Sequence, residues 1–128
     1  MITKNQMMQL LIEASPSFAK KWKEMDDDFF DDIVYLQLAE FGRHVVELQL
    51  SNSTEEFPPI FTVIERFQEE GDEYVKEAAV MGILEAIQNQ ALDKKVELKT
   101  FESYLLPVSK ENWSKLIQFW EGKKYGEQ

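Results

Sequence analysis

The sequence has 128 residues, no cysteine, and a formal net charge of −10 from 24 acidic and 14 basic side chains. This length fits one domain with a single core, and the absence of cysteine excludes disulfides and zinc sites that need sulfur. The acidity disfavours nucleic acid and anionic membranes as partners, because both recruit basic patches. It favours a basic protein partner, with solubility alone as the simpler explanation.

The N-terminal stretch 1–14 has an apolar stripe but lacks the basic region, long apolar core and cleavage site of a signal peptide. No apolar run in the sequence reaches the ~20 residues that a membrane-spanning helix requires. A cytoplasmic location is therefore expected.

Two short helices are predicted at the start of the chain. Thr3 is a suitable N-cap for an amphipathic helix that ends near Ala14. Ser15 and Pro16 begin a second helix that extends to about Met25, since proline is tolerated at the first helical position.

An acidic stretch, residues 24–32, follows the second helix. Its spacing of acids and its lack of a central glycine do not fit a calcium-binding loop. We interpret it as a solvated connection in which Phe29 or Phe30 docks into the core. The alternative is an acidic patch that faces a protein partner, formed by the aspartates of this stretch: Asp26, Asp27, Asp28, Asp31 and Asp32.

The third predicted helix extends from about Asp32 to Leu50 and contains the only histidine of the chain. Glu40, His44 and Glu47 share one helical face through four- and three-residue spacings. A metal site or an acid–base set would need further ligands from elsewhere, so we interpret these residues as an ordinary surface cluster. No metal ion and no cofactor is expected.

The fourth helix, from Phe57 to Gly71, leads almost directly into the central helix, from Asp72 to Leu92. The middle of the central helix is apolar on every side, which predicts burial by neighbouring helices. We expect its side chains at three positions to be nearly inaccessible to solvent: Ala79, Ile83 and Ala86. The short connection predicts an antiparallel helical hairpin.

The C-terminal part is predicted to hold a short helix from Phe101 to Leu106, stopped by Pro107, and a last helix from Lys110 to Glu121. Ser109 is the expected cap and Gly122 the expected end of that helix. Its inner face is expected to carry Trp113, Leu116, Ile117 and Trp120. Together the elements predict an all-α, single-domain bundle over 1–128 with about six helices. Stacking of these helices as successive hairpins is one arrangement that fits the pattern.

Several short stretches of the second half resemble a family of small helical bacterial proteins of uncharacterised or immunity-like type. The residues that carry the resemblance are spread over 57–123: Phe57-Pro58-Pro59-Ile60-Phe61, Val63-Ile64-Glu65, Gly71-Asp72, Gly82-Ile83-Leu84-Glu85, Gln88-Asn89, Tyr104-Leu105, Ser109, Trp113 and Phe119-Trp120-Glu121-Gly122-Lys123. The resemblance implies a cytoplasmic protein that neutralises a cognate toxin by binding it. It implies no catalytic residue.

The residues themselves give no catalytic motif: the sequence lacks a phosphate-binding loop, a nucleophile elbow and a Cys/His cluster. The aromatic residues, Tyr35 among them, are spaced as core anchors rather than as a ligand cage. We therefore expect a binding protein and not an enzyme. The first hypothesis is an immunity-like protein for a basic toxin domain, and the alternative is a helical scaffold or adaptor. An enzyme that uses Glu40, His44 and Glu47 comes third.

Two acidic regions are candidate partner-binding surfaces. One is formed by the aspartates of the stretch 24–32, and the other lies at the corner between the fourth and central helices. The corner carries Glu69, Glu70 and Glu73 as the strongest candidates, with Glu65, Asp72 and Glu77 close by. Arg66 and Lys76 are its only internal counter-charges.

Overall fold

The computed structural model describes residues 1–25 and 34–126, with side chains through Gly122. Within these ranges the chain is helical almost throughout, and the predicted all-α bundle is confirmed. The α-helices are α1 (Met7–Ala14), α2 (Pro16–Glu24), α3 (Val34–Leu50), α4 (Phe57–Glu70), α5 (Glu73–Ala78), α6 (Glu85–Asp93) and α7 (Pro107–Gly126). A π-helical segment (Ala79–Leu84) joins α5 to α6, and 3-10 helices form at Lys4–Gln6 and Leu98–Tyr104.

One hydrophobic core extends from Ile2 near the N-terminus to Leu116 in α7. Its largest side chains are fully buried aromatic residues from five helical segments: Phe18, Phe41, Phe57, Phe61, Phe67, Phe101 and Trp113. Burial of this apolar surface is the main stabilising contribution to such a fold. None of the described helices is long and apolar enough to cross a membrane.

The central helix forms as predicted, but a wider turn interrupts it. Asp72 caps α5, because its carboxylate accepts a hydrogen bond from the backbone N–H of Val75 at 2.9 Å. The π-helical segment then packs against α3, α4 and α7 at once. These contacts bury four residues of the segment, Ala79, Gly82, Ile83 and Leu84, whereas Met81 is 46% exposed, so burial on every side is not complete.

Ala79 and Ile83 are fully buried, as predicted, whereas Ala86 is only half-buried, so that part of the prediction is wrong. A continuous α-helix places positions 79, 83 and 86 on one stripe. The wider turn of a π-helix rotates the residues that follow it relative to such a stripe. Ile87 and Ala91 occupy the buried positions of α6 instead.

Two glycines bring α3 and the central helix unusually close. A Cβ atom added at Gly42 would lie 2.6 Å from the Cβ of Ala86, and one added at Gly82 would lie 2.8 Å from a methyl carbon of Leu38. Both distances are shorter than any real contact between carbon atoms. Gly82 of the central helix and Gly42 of α3 therefore allow the two helices to approach closely from opposite sides of the contact.

The N-terminus is fixed to the corner between α4 and α5. Ile2 donates its backbone N–H to the carbonyl oxygen of Glu70 at 2.8 Å and accepts the N–H of Asp72 at 2.9 Å. Gly71 lies between these partners, where an added Cβ would collide with the backbone oxygen of Phe67. The corner is thus held by backbone bonds and not only by its short connection.

The C-terminal helix begins and ends elsewhere than predicted. Pro107 does not stop a helix but occupies the first position of α7, and Ser109 lies in the first turn instead of at the cap. Gly122 does not end the helix, because an exposed glycine costs an α-helix only about 1 kcal/mol relative to alanine. Trp120 is 41% exposed, so its predicted place on the inner face is wrong.

The contact between α3 and the central helix gives a first prediction. Gly42→Ala should lower the free energy of unfolding by about 1–3 kcal/mol, because the new methyl group overpacks the site against Ala86. Gly122→Ala is the matched control. It meets no atom within 4 Å, and it should stabilise the helix slightly through alanine's better helix propensity.

Urea denaturation of both variants measures the difference. Adding Ala86→Gly to Gly42→Ala should recover part of the loss, visible as a coupling free energy in a double-mutant cycle. Equal stability of the two Gly→Ala variants would show that the two helices separate at no cost.

Candidate functional site

The corner between α4 and α5 presents a row of exposed carboxylates. Glu69 and Glu70 end α4, Glu73 begins α5, and Glu77 follows one turn later, all with exposed side chains. The backbone bonds of Ile2 and the glycine at position 71 fix the angle at which the two helices meet. The corner is therefore a defined acidic surface, which we call the acidic corner, made of Glu69, Glu70, Glu73 and Glu77.

Few cations neutralise the acidic corner. Arg66 donates to Glu70 at 3.0 Å and 3.4 Å, and this hydrogen bond holds the pKa of the Glu70 carboxyl below its usual value. In the described ranges Glu69, Glu73 and Glu77 make no ion pair. An exposed pair such as Arg66–Glu70 contributes little to stability. The remaining negative charge of the acidic corner is exposed to solvent.

Two exposed tyrosines adjoin the acidic corner. The rings of Tyr35 in α3 and Tyr74 in α5 meet edge to face with centroids 6.2 Å apart. The ammonium group of Lys4 lies 5.3 Å from the centroid of the Tyr74 ring. Burial raises the pKa of Tyr35, and the neighbouring carboxylate of Glu77 raises it further. The prediction that Tyr35 is a core anchor is wrong, because 41% of its surface is exposed.

The second predicted acidic surface falls outside the described residues. Asp26, Asp27, Asp28, Asp31 and Asp32, as well as Phe29 and Phe30, lie in 26–33. The sequence connects this stretch directly to α3, whose second residue is Tyr35.

His44 does not belong to a surface cluster, contrary to the sequence-based interpretation. It is 7% exposed and faces α2, where its Nε2 lies 2.7 Å from the hydroxyl of Ser17. Of the other two members of the predicted cluster, Glu47 also faces α2 and Glu40 does not contact it through an ion pair. Glu47 pairs with Lys21 of α2 at 2.6 Å, and Glu40 lies 4.0 Å from Arg43. The four-residue spacing placed these side chains on one face but could not show that another helix covers part of it.

Glu56, which the sequence did not single out, links His44 to the start of α2. One oxygen of its carboxylate accepts hydrogen bonds from the hydroxyls of Ser15 and Ser17, and the other accepts the backbone N–H of Ser17 at 3.1 Å. The N-terminal turn of a helix has N–H groups without intrahelical partners and carries a partial positive charge. Glu56 supplies from a distance the cap that α2 lacks locally.

The direction of these hydrogen bonds determines what His44 can do. A carboxylate only accepts, so the hydroxyl of Ser17 donates to Glu56 and accepts from His44. His44 then carries its proton on Nε2, and its buried Nδ1 has no partner among the described residues. In this arrangement the nitrogen that faces Ser17 has no lone pair with which to activate the hydroxyl. The geometry is that of a helix cap and differs from a nucleophile–base pair.

A second glutamate, Glu65, is buried and caps α7 in the same way, so its predicted place among the acids of the corner surface is wrong. Glu65 is 4% exposed, and its carboxylate accepts the N–H groups of Val108 at 2.9 Å and Ser109 at 2.8 Å, together with the Ser109 hydroxyl at 2.7 Å. Gln68 extends the network, since its amide nitrogen donates to the Ser109 hydroxyl at 2.7 Å.

Both capped helices begin with proline. At α7 the residue before the proline is Leu106, which has no capping side chain, and this was a sequence signal for a distant cap such as Glu65. At α2 Ser15 is a suitable cap by type, so no such signal in the sequence pointed to Glu56.

Two concave regions are open to solvent. The first, about 320 Å³, lies beside His44 and is lined mainly by charged side chains, among them Lys20, Lys21 and Glu24. The second is an apolar groove of about 440 Å³ between α6 and α7, lined by Leu92, Leu98, Ile117, Trp120 and three polar neighbours. The described part of the chain holds no group of three or more His, Asp or Glu side chains that could bind a metal ion.

Comparison with known proteins places the chain in a family. Residues 8–121 match the family described as Domain of unknown function (DUF7674), and because the match covers most of the chain, the protein belongs to that family. No curated protein and no solved structure matches the chain.

The environment of His44 predicts a pH dependence. Burial lowers its pKa, with a further contribution from Lys21, while Glu47 and Glu56 oppose the shift. In the unfolded chain a histidine takes up a proton near pH 6.5, whereas the folded protein does so only at lower pH. Because the unfolded state binds the proton first, stability is complete above about pH 7 and falls as the pH drops below about 6.5.

The variant His44→Gln lacks this titration, so the stability difference between the natural protein and the variant should shrink as pH falls. Thermal unfolding from pH 8 to pH 5 measures this difference. Since the chain has one histidine, NMR titration of its ring proton reports the folded-state pKa directly. A pKa above 6.5 would contradict the burial argument.

The cap of α7 gives a third prediction. Glu65→Gln replaces an accepting oxygen with an NH₂ group opposite backbone N–H donors, which leaves a buried donor unsatisfied. The free energy of unfolding should fall by about 1–3 kcal/mol. Glu69→Gln, exposed on the same helix, should change it by less than about 0.5 kcal/mol. Urea denaturation compares the two, and an equally small effect of both would refute the capping role.

Proposed function

We propose that this chain is a cytoplasmic bacterial protein of immunity type, which binds and neutralises a basic toxin domain. The observation that carries the proposal is the acidic corner, where Glu69, Glu73 and Glu77 are exposed and make no ion pair with described residues. The resemblance of the second half of the sequence to immunity-like proteins supports the same function.

The roles of the other carboxylates strengthen this proposal. Glu56, Glu65 and Asp72 cap helices and are used by the fold. Glu69 and Glu77 have no such structural use among the described residues, whereas Glu70 pairs with Arg66 and Glu73 lies in the first turn of α5, where the helix dipole favours an acid. Clustered like charges repel one another. Exposed like charges that the fold does not need are well suited to attract an oppositely charged partner. Electrostatic complementarity of this kind raises association rates and suppresses wrong partners.

The decisive functional test is toxicity rescue. The product of the neighbouring gene is expressed with and without this chain, and a pull-down establishes whether the two proteins bind directly. Co-expression should restore growth, and binding should persist with purified components. A neighbouring product that is harmless and does not bind would contradict the proposal.

The fourth prediction locates the electrostatic contribution. The combined variant Glu69→Gln, Glu70→Gln and Glu73→Gln should slow association with that partner about tenfold or more at low salt, because steering depends on local charge. The difference should narrow at moderate salt, where the Debye length is about 8–10 Å. Stopped-flow association rates measure both effects.

A charge-matched control removes three acids that lie outside the acidic corner, in α1, before α4 and at the end of α6: Glu13→Gln, Glu55→Gln and Asp93→Asn. Glu55 precedes the start of α4 and lies about 20 Å from the corner by the length of that helix. If the control slows association as much as the corner variant, net charge alone attracts the partner. Unchanged rates for both variants would remove the electrostatic basis of the proposal.

A further inference from the structure

We infer that Tyr35, Tyr74 and Glu77 form a receptor for an arginine side chain of the partner, and that Lys4 occupies it in the free protein. This inference rests on the proposed function, since it concerns a basic partner at the same face. It adds a specific contact to a surface that the acidic corner defines only by charge.

The tyrosine pair provides the aromatic part of the receptor. Both rings are partly exposed, Tyr35 by 41% and Tyr74 by 36%. In an edge-to-face pair the faces of the rings are not stacked on each other, so a ring face remains available to a cation. The negative potential of a tyrosine face attracts ammonium and guanidinium groups within about 6 Å of its centroid.

Lys4 shows that a cation already uses this ring. Its Nζ lies 5.3 Å from the centroid of Tyr74, and among the described residues it has no carboxylate within ion-pair distance. Lys4 belongs to the short 3-10 helix before α1 and its side chain is exposed. The contact is therefore a single, solvent-accessible cation–π interaction that a stronger cation can displace.

Arginine is the occupant that the site favours over lysine. Glu77 follows Tyr74 by three residues in α5, a spacing that places the carboxylate and the ring on one face of the helix; both side chains are exposed there. A guanidinium group can stack on an aromatic ring and donate two parallel hydrogen bonds to a carboxylate, whereas an ammonium group is a compact point charge. Lys4 uses only the ring, and an arginine would use both groups.

Binding of short peptides to the whole chain tests the inference without the toxin. The probes are capped hexa-arginine and hexalysine, and calorimetry gives their dissociation constants. The natural protein should bind hexa-arginine more tightly than hexalysine. Tyr74→Leu should weaken hexa-arginine binding about two- to fivefold, the equivalent of one exposed cation–π contact, and should reduce the preference for arginine. Tyr74→Phe, which keeps the ring, should retain most of both.

A double-mutant cycle tests the role of Lys4 and controls for charge. Lys4→Ala should tighten hexa-arginine binding in the natural background, because it empties the ring. It should do so much less with Tyr74→Leu, although the change in net charge is the same. An equal gain in both backgrounds would show that Lys4 acts through charge alone and would overturn the inference. Circular dichroism confirms that each variant is folded.

The outcomes separate this inference from the proposed function. One outcome is that the combined variant Glu69→Gln, Glu70→Gln and Glu73→Gln slows association with the toxin partner, while Tyr74→Leu leaves hexa-arginine binding unchanged. The charge-steered partner would then stand, and the arginine receptor would be refuted. Selective hexa-arginine binding that depends on Tyr74, with no rescue from toxicity, would leave the receptor and refute the immunity function.

Discussion

Two glutamates, Glu56 just before α4 and Glu65 within it, connect α4 to two other helices, α2 and α7. Glu56 completes the first turn of α2, and Glu65 completes that of α7. Each buried or half-buried charge is balanced by N–H and O–H donors and by a helix N-terminus rather than by a lysine or arginine. Such capping joins segments about 40 residues apart, so α4 fixes the positions of both flanking helices as well as contributing its apolar face to the core.

A second constraint sets the arrangement of the proposed binding face. The close contact of Gly42 with Ala86 and of Gly82 with Leu38 allows α3 to lie against the central helix. That approach brings Tyr35 to Tyr74, and the backbone bonds of Ile2 hold the adjoining corner. Buried glycines that carry no charge therefore help to determine whether the charged and aromatic parts of this surface lie side by side. A change at Gly42 would disturb this surface without altering any of its side chains.

The sequence predicted what depends on local periodicity and capping. The limits of α2, α4 and the central helix, the Asp72 cap and the burial of Ile83 all follow from short-range patterns. The π-helical turn, the burial of His44 and the roles of Glu56 and Glu65 depend on packing between distant segments. The sequence could predict that Glu69, Glu70 and Glu73 are exposed. It could not show that Tyr35 is exposed as well and lies on the same face of the protein.

The acidic composition is informative only after the carboxylates are divided by what they contact. With 24 acidic residues in the sequence, no single one is conspicuous. The acids that accept backbone N–H groups have a structural role, and those paired with a lysine or arginine are neutralised locally. What remains at the corner is a set of exposed charges on a rigid junction, next to two tyrosines and a displaceable lysine. Their shared position on one face is the observation on which the proposal of a cationic protein partner rests.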